Sequence, residues 1–94
     1  VVVSGCNHSG LHNLADALEE QFPDRNVAAL IGGLHLSGAD DACMASSMDA
    51  LERIAPAEVI TLHCTGLRGY EAVRSRFGAT RVRFGSAGES YALG

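Results

Sequence analysis

The chain has 94 residues, 47% hydrophobic and 19% charged, a composition that fits one folded domain and excludes a disordered segment or two independent cores. Its net charge is −4 and all seven basic residues are arginines, which argues against a nucleic-acid partner, whose affinity rests on neutralised phosphates. No apolar run reaches the ~18 residues that cross a bilayer, so no membrane-spanning helix and no membrane partner are expected.

Val1–Val3 form a β-branched run that stops at Ser4-Gly5, and Ser9 is placed to cap a helix. In that helix Leu11, Leu14, Ala15, Leu18 and Phe22 share one face, and Pro23-Asp24 ends it. Val27–Ile31 is apolar throughout, which predicts a strand covered on both faces by helices and ended by Gly32-Gly33. Ser37, Asp40 and Asp41 are N-cap candidates for a second helix, with Met44, Met48, Leu51 and Ala55 on its buried face and Pro56 at its close. Glu58–His63 predicts a third strand, and Gly66 to Gly78 a third helix with Tyr70, Val73 and Phe77 in register. Thr80–Gly85 alternates polar and apolar residues, as in a half-exposed strand at a sheet edge. A short strand at Tyr91–Leu93 completes the expectations. The order βαβαβαβ with short connections predicts an α/β layered fold with right-handed crossovers, one domain over residues 1–94. Val1 opens inside an apolar run, as expected of a piece of a longer chain.

Three of the four histidines stand where an apolar run breaks into a glycine-bearing turn: His8 after Ser4-Gly5-Cys6-Asn7, His35 after Gly32-Gly33-Leu34, and His63 before Cys64-Thr65-Gly66. If the runs are parallel strands, their carboxyl ends share one sheet edge, where ligands of open α/β sheets bind. Cys6 and His8 read either as a small core residue and a loop histidine or as a thiolate and an imidazole facing one metal ion. The same turn lacks the Gly-Lys-Ser/Thr ending of a phosphate loop and the three glycines of a dinucleotide fingerprint. His63 and Cys64, adjacent at a strand end, are expected on opposite faces, with His63 toward the cleft and Cys64 packed inward. His12 reads as a surface residue, Cys43 as helix packing, and Arg68 as either a solvated arginine or an anion-binding side chain near the third turn. Three cysteines in no disulfide-like spacing fit a reducing compartment, so a cytoplasmic location is expected.

The strings Ser4-Gly5-Cys6-Asn7-His8-Ser9-Gly10, Ile31-Gly32-Gly33-Leu34-His35-Leu36 and Leu62-His63-Cys64-Thr65-Gly66, in this order and spacing, resemble the C-terminal half of metallo-β-lactamase-fold, metal-dependent hydrolases. The branch is the one like ribofuranosylaminobenzene 5'-phosphate synthase. The resemblance implies half of a four-layered αββα sandwich with two metals, usually zinc, at one sheet edge. It implies that His63 is a metal ligand and that Cys6 stands where many relatives place a bridging aspartate, with His8 close enough to serve instead. It gives His35 a catalytic role in proton transfer or substrate contact. Thr65 and Arg68, at and just beyond the third turn, are expected beside a small-molecule substrate. The family's His-x-His-x-Asp-His motif does not occur in these 94 residues. The parent is thus expected to be a zinc-dependent or other divalent-metal hydrolase, or a hydrolase-like synthase, acting on an ester or phosphoester. This fragment is expected to be inactive alone, with the N-terminal half of the same fold as its partner. A non-catalytic module binding a small anion at the first strand-to-helix turn is the alternative, and a thiol redox sensor using Cys6 and Cys64 is a third.

Overall fold

The architecture was obtained as a computed structural model, which describes residues 1–93. Its elements run β1 (Val2–Ser4), α1 (Leu11–Gln21), β2 (Ala29–Gly33), α2 (Asp41–Ile54), β3 (Glu58–Leu62), a 3₁₀ turn (His63–Thr65), α3 (Gly66–Phe77) and β4 (Val82–Phe84). The four strands form one sheet in the order β1-β2-β3-β4, and every neighbouring pair is parallel. The βαβαβαβ reading therefore holds.

Each crossover steps one strand in the same direction, and right-handed crossovers repeated this way put every helix on one face. The core confirms it. Leu30, Val59 and Val82 are in register and buried with Leu11 and Ala15 of α1, Met44, Met48 and Leu51 of α2, and Val73 of α3. The next row, Val3, Ile31, Ile60 and Arg83, points the other way. There Val3 is 77% exposed and Ile31 half-buried, so the expectation of helices on both faces of the second strand is corrected: the run is apolar throughout although helices cover only one side. Ile60 is fully buried on that side because the chain after β4 folds back over it, with Arg83 against the Tyr91 ring and Gly85 packed on Ile60, Leu62 and the Tyr91 hydroxyl. Among the described residues Tyr91–Leu93 form no strand.

Local chemistry explains the other departures. Asp40, not Ser37 or Asp41, caps α2, its carboxylate accepting the Cys43 amide at 2.7 Å. Ala55 sits in the left-handed conformation that terminates α2 and is exposed, outside the buried face. Ser9 makes no capping bond, since Gly10 precedes α1. Phe22 lies one residue past that helix and is exposed. Cys43 is exposed on α2 rather than packed, one position before the buried Met44. The second strand does not stop at Ile31. Gly32 and Gly33 continue it, paired with Thr61 and Leu62 of β3. Among the described residues no helix is long and apolar enough to cross a membrane.

Candidate functional site

All three histidine turns follow parallel strands at their carboxyl ends, so they meet along one edge, as the sequence predicts. The glycine pair makes their approach possible. A Cβ on Gly32 would lie 2.0 Å from the Ser4 carbonyl oxygen, and one on Gly33 would lie 2.6 Å from Cys64 Sγ, 2.7 Å from His63 Cε1 and 2.9 Å from the Gly5 carbonyl oxygen. The Gly33 amide also donates to the Gly5 carbonyl at 2.9 Å, tying the first turn to β2. Gly33 shares the sheet side of Ile31 and Leu62, so the groups above it face the side that the helices leave uncovered.

Those groups form a cluster. Cys6 Sγ lies 2.8 Å from His63 Nε2, a contact between residues 57 apart in sequence. Donor atoms of Cys6, His63 and Cys64 all lie within 4.8 Å of one another. His63 is exposed and both thiols are half-buried. Cys64 Sγ accepts the His35 amide at 3.3 Å and directs its own S–H to the Cys6 carbonyl at 3.4 Å. Burial, and then the neighbouring Cys64 thiol, push the Cys6 pKa above its ordinary value.

The expectation that His63 and Cys64 face opposite ways is overturned. The chain leaves the extended conformation at Leu62 and enters a 3₁₀ turn, where successive side chains diverge by about 120° rather than alternating across a sheet. Both can therefore look toward Cys6. His8 is not in the cluster. Its ring lies against that of His35, with centroids 4.6 Å apart and planes tilted by 50°. His35 is exposed between the buried Leu34 and Leu36, and it and Asn7 both hold left-handed backbone conformations, which are uncommon for side-chain-bearing residues. The Asn7 side-chain nitrogen is buried with no protein partner, a donor facing unmet demand in the same turn.

Thr65 is 1% exposed and its hydroxyl accepts the Leu34 amide at 3.1 Å. It braces the second turn. Arg68 is held by Asp41 and the Ala39 carbonyl at the start of α2. His12 is on the surface, bonded to Ser46 of α2 at 2.8 Å. A cavity of about 470 Å³ adjoins His63, lined by Leu62, Phe84, Gly85, Ser86 and Ala87. Sequence reasoning missed Cys64 as part of the cluster, and the signal it passed over is the Thr-Gly pair that follows, which lets the strand tighten into a turn.

This is a two-layer α/β unit with soft donors, Cys6, His63 and Cys64, gathered at the carboxyl edge of a parallel sheet, a group that could hold a metal ion. No protein-family profile matches the chain. The chain is 31% identical over 77 residues to the 7,8-dihydropterin-6-methyl-4-(β-D-ribofuranosyl)-aminobenzene-5'-phosphate synthase of Methanocaldococcus jannaschii, covering 82% of this chain and 26% of that protein. It matches the crystal structure of a metal-dependent hydrolase of the β-lactamase superfamily with a TM-score of 0.72 and 27% identity, over 80% of this chain and 29% of that one. The resemblance to metallo-β-lactamase-fold, metal-dependent hydrolases read from the three turns therefore holds, for a part of that fold. The branch suggested by the turns is also the one to which the archaeal synthase belongs by its own name. The chain spans about a quarter of the length of that relative.

Proposed function

We propose that this chain is the C-terminal half of a metal-dependent hydrolase, or hydrolase-like synthase, acting on an ester or phosphoester of a small molecule. The observation that carries this reading is the approach of Cys6 Sγ to His63 Nε2 at 2.8 Å across the sheet edge. A thiol and an imidazole brought together from distant positions, over a cradle that a single Cβ would fill, suit a zinc-type donor set. When bound, such a metal supplies Lewis acidity and a hydroxide nucleophile near neutral pH.

In this reading Cys6 and His63 hold metal and His8 is the reserve donor one turn away. His35 moves a proton or contacts substrate, and Arg68 meets an anionic group by giving up Asp41. Thr65 keeps the second turn in place through the Leu34 amide. The helix-free face carrying Val3 and Ile31 receives the N-terminal half, which brings the His-x-His-x-Asp-His ligands. The chain alone is inactive and the parent is cytoplasmic.

Zinc uptake by the chain and by its His63→Ala and Cys6→Ala variants tests the reading, with both variants expected to bind much less. Equal uptake by all three would remove these residues from the site. Protection of the chain by phosphate in the presence of chelator would favour the anion-binding alternative instead.

A further inference from the structure

From the placement of the third sulfur we infer that Cys64 is a metal ligand together with Cys6 and His63, making a Cys₂His site that selects a thiophilic divalent ion such as zinc or cobalt over magnesium or manganese. This rests on the metal reading above and deepens it, since it exchanges His8 for Cys64 and names the class of ion.

Three observations carry it. The donor atoms of these three side chains lie within 4.8 Å of one another, whereas His8 is engaged with the ring of His35. The 3₁₀ turn at His63–Thr65 turns Cys64 to the side of its neighbour instead of burying it behind the strand. The third is the environment of the sulfur itself. Cys64 Sγ already accepts a backbone N–H, that of His35, at 3.3 Å. Such a bond strengthens when the sulfur becomes a thiolate and orients it as a ligand. The S–H that Cys64 now directs to the Cys6 carbonyl is the proton given up on binding. Cys6 gives up a second, so one divalent ion entering the site releases two protons to solvent and leaves one imidazole and two thiolates around it. Three protein donors leave a fourth tetrahedral position open, as in catalytic rather than structural zinc sites. Two thiolates also set the metal preference, because hard ions favour oxygen donors.

The test is cobalt titration of the reduced 94-residue chain, read by the sulfur-to-cobalt charge-transfer absorption, for the unmodified chain and for Cys64→Ser, Cys6→Ser and Cys43→Ser. Loss of about half the band in each of the first two variants, no change in Cys43→Ser, and an affinity at least about tenfold weaker in Cys64→Ser are the expected results. Excess magnesium should leave the band intact. A full band in Cys64→Ser that disappears in Cys6→Ser would overturn the assignment of Cys64 while leaving the metal reading in place. Absence of cobalt uptake by the unmodified chain would sink both. X-ray absorption at the zinc edge needs no variant and guards against misfolding: two sulfurs at about 2.3 Å are expected, and a single sulfur overturns the proposal.

Discussion

Gly33 shows how much one residue controls at this edge. Its missing side chain is the space in which Cys64 Sγ and His63 Cε1 sit, at 2.6 and 2.7 Å from where a Cβ would be. Gly33→Ala is expected to push both groups outward, destabilise the fold by about 1–3 kcal/mol, and weaken zinc binding more than that loss alone explains. Denaturant unfolding and metal titration of the same variant separate the two effects. Thiol chemistry gives a second expectation at this scale. Since the thiolate is the reactive form and burial beside Cys64 raises the Cys6 pKa, Cys6 holds its proton to higher pH than an ordinary thiol. Iodoacetamide should label the exposed Cys43 first at pH 7.5, with Cys6 catching up only as pH rises, as peptide mass mapping would show. Faster labelling of Cys6 at neutral pH would contradict the environment described for it.

At the scale of elements, the helices end where side-chain chemistry dictates. α2 starts because Asp40 takes the Cys43 amide and stops where Ala55 turns left-handed ahead of Pro56. Asp40→Ala is expected to lower stability by about 1 kcal/mol with little change in metal uptake, because the cap lies on the helix layer and not in the cluster. Arg53 of α2 joins Asp16 and Glu19 of α1 at 2.7 and 2.9 Å, but these partners are largely solvated, so the pairing guides how the helices dock more than it stabilises them. The element that matters most to the site has only three residues. The 3₁₀ turn converts an alternation that would separate His63 from Cys64 into a geometry that brings both to Cys6.

For the whole molecule, the consequence of the monotonic strand order is an unequal sandwich. One side of the sheet is packed by three helices, and the other shows Val3 at 77% exposure. Mutations on the two sides should therefore differ sharply. Leu30→Ala, at a fully buried position facing the helices, is expected to cost about 2–5 kcal/mol in denaturant unfolding. Val3→Ser, on the open side, should stay within about 0.5 kcal/mol. The Cys6, His63 and Cys64 cluster opens on this side as well, over Gly33.

The residue order alone determined the βαβαβαβ succession, the parallel sheet with a half-exposed last strand, and the meeting of three glycine-bearing turns at one edge. These are local matters, set by hydrophobic period, helix stops and the reach of short connections, and motif spacing carried the family resemblance with them. What the sequence could not express was which face each strand buries, because an apolar run looks the same whether helices cover one side of it or both. Nor could it pair the side chains. Cys64 joins Cys6 and His63, while His8 turns to His35, only because the backbone tightens after Leu62 and because Gly33 leaves room, and both depend on strands that are neighbours in space rather than in sequence.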